Sequence, residues 1–193
     1  ATQGFVVIGV DVRGSDGRGE VFRKSTYLQL GQLEAKDLCD VAHYLAAQSY
    51  IDNNRIGIYG WSYGGYAVLM TMSQPNSLYK AGVAVAPVTD WKLYDTAYTE
   101  RYMRTPQDNF RGYALSSPIE LADKLQGRLL LVHGTADDNV HLQNTLEYAD
   151  ALVKAGKQFD MQLYTNKNHA IKGGNTRLHL YTRMTEFFLN NLK

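Results

Sequence analysis

Cysteine is nearly absent. Cys39 is the only one in 193 residues, which excludes an internal disulfide, an iron–sulfur cluster and a multi-cysteine zinc site. No Asn-x-Ser/Thr sequon occurs, so nothing points to a eukaryotic secretory history. Neither sign of charge dominates. Twenty Lys and Arg against nineteen Asp and Glu leave +1, too little to hold nucleic acid by counterion release. The longest apolar runs reach only about eight residues, far short of a membrane span. With 4 Pro, and no repeat or low-complexity tract, no internal domain boundary is marked. No signal-peptide pattern is visible, and the chain starts at Ala1 rather than Met. The expectation is therefore an N-terminus that is processed or cut from something longer.

What is present is globular composition, 45% apolar and 20% charged, in an amount that fits one domain over residues 1–193. Strand and helix patterns alternate. Phe5–Val12 is a β-branched run and predicts a buried strand, followed by a Gly-rich loop to about Gln29. Helical spacing begins with Leu33, Leu38, Val41, Ala42 and Leu45. Arg55–Tyr59, Ala81–Ala86, Arg128–His133 and Phe159–Tyr164 predict four more strands. Helices are expected from Gly65 through Met72 and over Leu142–Lys154. Leu178, Tyr181, Met184, Phe188 and Leu192 would line the face of a last helix. Trp91–Ser117 looks irregular and rich in tyrosine. Strands apolar on both sides and separated by helices imply an α/β fold, its mostly parallel sheet covered on both faces. Ligands of such sheets gather at the carboxyl ends of the strands.

The chemistry-bearing residues fall at those ends. Gly60-Trp61-Ser62-Tyr63-Gly64-Gly65 contains G-x-S-x-G between a strand and a helix. A serine on that turn has a strained backbone, and flanking side chains would clash. The turn lifts its hydroxyl clear of the sheet and points the Tyr63 N–H at a developing oxyanion. A hydroxyl needs a base, and the base needs an orienting acid. His133-Gly134-Thr135-Ala136-Asp137-Asp138 follows the fourth strand, and Asn166-Lys167-Asn168-His169 follows the fifth. The order Ser62, Asp137, His169 suits a serine hydrolase. Only one of Asp137 and Asp138 can face His169, and Asp138 or Asn139 would suit the N-cap of the next helix. His133 is expected to be structural. His43, His141 and His179 fall within helices, where a packed or solvated role is the default. Asp137, Asp138 and His141 lack a further strong ligand nearby, so neither metal nor cofactor is expected. Gly14-Ser15-Asp16-Gly17-Arg18-Gly19 has its glycines in the wrong order for a dinucleotide fingerprint. An imidazole base titrates near pH ~6.5, so such catalysis would rise through neutrality.

Asp11-Val12-Arg13-Gly14-Ser15, Gly60-Trp61-Ser62-Tyr63-Gly64-Gly65, Tyr98-Thr99-Glu100-Arg101-Tyr102 and His133-Gly134-Thr135-Ala136-Asp137-Asp138-Asn139-Val140-His141 resemble the prolyl oligopeptidase family of serine peptidases. The likeness is strongest to its dipeptidyl peptidase branch and runs along nearly the whole chain. It implies an α/β-hydrolase fold and release of a dipeptide from the amino end of a peptide with Pro, or Ala, in second place. It implies that Ser62 is the nucleophile, Asp137 the acid, His169 the base and the Tyr63 N–H an oxyanion donor. It further implies a proline pocket of Tyr63, Val88, Trp91, Tyr94, Tyr98 and Val140, with Asn139 and Arg101 placing the substrate backbone. Flat aromatic walls suit a compact apolar ring, which would account for many of the 14 Tyr. On spacing alone, Trp91, Tyr94 and Tyr98 read equally as a helix face packed on the core.

The same likeness implies parts that the chain lacks. These are an upstream β-propeller with a Glu pair for the substrate's amino group, the first strands of the hydrolase sheet, and a Tyr that completes the oxyanion hole. The expectation is a C-terminal catalytic fragment with little activity of its own. Dimerisation through the last helix is implied, as is a periplasmic, cell-surface or secreted bacterial setting. Another serine hydrolase (an acylaminoacyl peptidase or an esterase) and a non-catalytic dimerisation module remain alternatives.

Overall fold

The protein is represented by a computed structural model that describes residues 2–192. Four parallel strands form one sheet in the order β1 (Gly57–Trp61), β2 (Ala81–Val85), β3 (Arg128–Gly134) and β4 (Asp160–Tyr164). The registers pair Tyr59 with Val83, Val83 with Leu130 and Leu130 with Asp160. All strands therefore end on the same rim.

Among the described residues, seven α-helices accompany the sheet: α1 (Glu20–Lys24), α2 (Gln32–Ala46), α3 (Tyr63–Met72), α4 (Thr96–Met103), α5 (Phe110–Leu115), α6 (Gln143–Lys154) and α7 (Thr176–Asn191). Alternation along the strands decides which face each helix covers. Leu129, Leu131 and Ala84 pack with Ala42 of α2, Val68, Leu69 and Met72 of α3, and Tyr148 and Leu152 of α6. Val83, Val85, Leu130 and Val132 pack with Leu180, Met184 and Phe187 of α7 on the other face. Small residues let α3 come close. A Cβ on Gly82 would meet the Met72 sulfur at 2.1 Å. Cys39 is buried between α2 and α3, its Sγ 4.0 Å from the Thr71 carbonyl.

Three expectations change. Phe5–Val12 joins no strand, and Val6, Val7, Ile8 and Val10 are exposed. A β-branched run becomes a strand only where another strand can take its hydrogen bonds, and β1 pairs only with β2. The sheet thus has one strand fewer than the pattern suggests. Next, the last helix departs from its expected face in part: Met184 and Leu192 are buried as expected, but Leu178 and Tyr181 are exposed, and Leu180 and Phe187 are buried in their place. Last, Trp91–Ser117 is not irregular. A 3₁₀ turn at Trp91–Leu93 is followed by α4 and α5. Asp95 caps α4 by accepting from the Tyr98 N–H, and Asn109 caps α5 by accepting from the Gly112 N–H.

Candidate active site

Ser62 alone joins β1 to α3. Its backbone lies at φ 60°, ψ −119°, a conformation that costs a non-glycine residue about 1–3 kcal/mol and persists only where the surroundings enforce it. They do so at both ends. The Ser62 N–H donates to the Val85 carbonyl at 2.8 Å, and the Ser62 carbonyl accepts from the Tyr66 N–H at 3.0 Å. A Cβ on Gly60 would lie 2.1 Å from the Gly64 carbonyl oxygen, and one on Gly65 would lie 2.8 Å from that of Val85. Gly64 itself faces open space, so the expected crowding holds at Gly60 and not at Gly64. Tyr63 opens α3. Its N–H is among the first-turn amides that have no carbonyl within the helix, at the positive end of the helix dipole.

The loops that carry Asp137 and His169 follow β3 and β4, and the backbone laces them together. The Thr135 N–H donates to the Tyr164 carbonyl and the Ala136 N–H to the Lys167 carbonyl, each at 3.0 Å. A side chain on Gly134 would strike the Lys167 carbonyl. The result is that Asp137 Oδ2 accepts from His169 Nδ1 at 2.7 Å. Asp137 Oδ1 accepts from the backbone N–H groups of Asn139 and Val140, each at 3.0 Å. Burial works to raise the Asp137 pKa. Bonds from His133, His169 and the Asn139 N–H outweigh it and hold the carboxyl well below the usual carboxylate range. Because a carboxylate only accepts, His169 Nδ1 carries a proton. Nε2 is then free to take one.

Asp138 and Asn139 are exposed, and neither caps α6, whose N-cap is Leu142 with no side-chain bond. The turn after β3 spends Asp137 on capping its own two following amides instead. The serine and histidine loops also touch. The Trp61 indole N–H donates to the His169 carbonyl at 3.0 Å. Arg177 of α7 stacks on the Trp61 ring at 5.1 Å and donates to the Ala170 carbonyl at 2.7 Å. The structure thus joins Asp137 to His169 directly and links the Ser62 turn to the His169 loop through Trp61, without a hydrogen bond from the Ser62 hydroxyl to the His169 ring.

Next to this lies an aromatic cluster. Trp91 is ringed by Tyr66 at 5.0 Å, Tyr63 at 5.7 Å, Tyr98 at 5.9 Å and Tyr94 at 6.0 Å between ring centroids. Val88 and Val140 are buried in it. Trp91 is itself core, whereas Tyr94 and Tyr98 are half-buried. The Tyr94 hydroxyl donates to Asn139 Oδ1 at 2.8 Å, which ties the cluster to the loop that carries Asp137. Arg101 is exposed on α4, one turn beyond Tyr98.

Glu34 escaped the sequence. It is 3% exposed in the first turn of α2 and accepts from the Tyr63 hydroxyl at 2.6 Å through Oε1, while buried Oε2 has no partner. Burial raises the Glu34 pKa, and the Tyr63 bond offsets only part of that. Burial, with Glu34 next to it, also drives the Tyr63 phenol far above its ordinary value. An acidic residue at a helix start looks like ordinary dipole compensation, so no local signal marks this contact. His133 was expected to be structural. It is wholly buried, with Nε2 3.2 Å from Asp137 Oδ2.

The family model described as the prolyl oligopeptidase family matches residues 1–193. Dipeptidyl peptidase 4 of Felis catus is 40% identical over 190 residues, which are 97% of this chain and 25% of the relative. Dipeptidyl peptidase 8 of Mus musculus is 41% identical over 196 residues, covering 22% of the relative. The crystal structure of Porphyromonas gingivalis dipeptidyl peptidase 4 superposes with a TM-score of 0.93 at 55% identity, over 94% of this chain and 26% of that one. The fold is therefore that of the catalytic α/β-hydrolase domain, and this chain spans about a quarter of the length of these relatives. With residues 1–193 matched, the chain belongs to the prolyl oligopeptidase family.

Proposed function

We propose that the chain is the catalytic domain of a serine dipeptidyl peptidase. The observation that carries this reading is the Asp137–His169 bond held beside a serine at positive φ, next to an aromatic cluster. Ser62 Oγ attacks the scissile carbonyl while His169 Nε2 takes its proton, and Asp137 steadies the imidazolium that forms. The Tyr63 N–H donates to the oxyanion. His169 then protonates the departing amine, leaving an acyl-serine. Water, activated by the same imidazole, hydrolyses that ester and releases the dipeptide. The ring of a second-position proline would sit among Tyr63, Val88, Trp91, Tyr94, Tyr98 and Val140. Asn139 and Arg101 would address the backbone that precedes it.

In this reading the parent is longer, and the amine anchor and a further oxyanion donor belong to it. One lost donor lowers turnover by on the order of 10²–10³, so the isolated chain should be a weak peptidase. A homodimer, with α7 and the exposed Phe5–Val12 run as contact surfaces, belongs to the same proposal. The test is the intact mass of the chain after treatment with a fluorophosphonate, alongside Ser62→Ala. One adduct that vanishes in the variant supports the assembled triad. No adduct removes the isolated chain as an enzyme. Gly-Pro anilide against an acylated peptide and a short ester then separates a dipeptidyl peptidase from an acylaminoacyl peptidase or an esterase.

A further inference from the structure

His133 ends β3 with no access to solvent, and the reaction described above makes no use of it. Its ring contacts define its tautomer. Nε2 lies 2.8 Å from the Val140 carbonyl, which only accepts, so Nε2 carries a proton. Nδ1 lies 2.7 Å from the Thr145 hydroxyl, whose hydrogen has the imidazole lone pair as its acceptor. The flank of the same Nε2–H group lies beside Asp137 Oδ2 at 3.2 Å. The Val140 N–H, in turn, donates to Asp137 Oδ1 at 3.0 Å. A closed circuit results, running from Asp137 Oδ1 through the Val140 peptide and the His133 ring back to Asp137 Oδ2. It restrains the plane of the carboxylate and leaves Oδ2 directed at His169. Val140 is also part of the aromatic cluster, so one circuit joins the acid to the pocket wall.

We propose that His133 is a positioning residue: as a neutral Nε2–H imidazole keyed by Thr145, it holds the Asp137 carboxylate in the orientation that engages His169. This rests on the triad reading above, and the test separates the two. Proton and nitrogen spectra of the ¹⁵N-histidine-labelled chain should show His133 as the Nε2–H tautomer. They should also show a slowly exchanging His169 Nδ1–H resonance shifted far downfield by Asp137. Asp137→Asn should abolish that shift, and its persistence there would overturn the triad reading itself.

His133→Leu keeps the bulk of the ring and removes its donor. It should speed solvent exchange of the His169 proton about tenfold, the scale of one hydrogen bond to a charged group. His133→Gln, whose amide reaches the Nε2 position, should restore slow exchange. Thr145→Val leaves the ring in place and removes its key. It should populate the second His133 tautomer and speed the same exchange, and it decides the matter if His133→Leu does not fold. A His169 proton unchanged in shift and exchange in these two variants overturns the proposal.

Discussion

Ser62 keeps a costly backbone because the glycines near it leave room for the turn, and they do so unequally. Ala at Gly60 would push into the Gly64 backbone, which cannot give way. Overpacking of that kind costs about 1–3 kcal/mol or more. Ala at Gly64 meets nothing and lies within α3, where it should stabilise by about 0.5–1 kcal/mol. Urea unfolding of Gly60→Ala and Gly64→Ala should thus give shifts of opposite sign. Two of the buried carboxyls, Asp137 and Glu34, also oppose each other. Asp137 has a folded pKa below its unfolded value, so it stabilises above the unfolded value and loses this as pH falls towards the folded one. Glu34 has a folded pKa raised by burial. Its penalty is absent below the unfolded pKa of about 4.3 and grows as pH rises through the folded one. Gln at position 34 keeps an acceptor for the Tyr63 hydroxyl and cannot ionise. Glu34→Gln should therefore be the more stable protein at pH 7 and lose that advantage near pH 4, whereas Asp137→Asn should flatten the acid limb. Urea midpoints at the two pH values check both.

Among the elements, α7 shows what a pattern can and cannot fix. Two apolar stripes run along it and share Met184: one through Leu178, Tyr181 and Phe188, the other through Leu180 and Phe187. Period alone ranks them equally, and contact with β2 and β3 selects the second. Leu180→Ala should cost about 2–5 kcal/mol as a core truncation. Leu178→Ala should change stability by no more than about 0.5 kcal/mol, as surface changes do. Equal costs in thermal unfolding would mean that the face is assigned wrongly. The four strands of the sheet were legible because each apolar run sits between helical patterns. Phe5–Val12 misled because pairing depends on a partner that its own residues do not encode. The candidate site was legible where it follows strand ends: the positive-φ turn at Ser62 and the Asp137–His169 bond both fall there. Glu34 was not, since it reaches Tyr63 across 29 positions of sequence, and a buried acid has no periodic signature.

At the scale of the whole molecule, Val6, Val7, Ile8 and Val10 leave apolar surface at one end, and Leu178 and Tyr181 leave more along α7. Exposed apolar patches favour association. Sedimentation of the isolated chain should show a weight-average mass that rises with concentration. Val7→Lys should lower it without moving the melting temperature, and a monomer at every concentration would remove self-association through this surface. Cys39 gives the molecule a different kind of property. Its sulfur is sealed between α2 and α3, and burial pushes the thiol up to about 11. Only the thiolate reacts readily, so a thiol reagent has to wait until α2 lifts away. The helix that covers the sulfur carries Glu34, and the one beneath it starts just after Ser62. One slow chemical label thus becomes a stopwatch for how often the floor beneath the Ser62 turn comes apart.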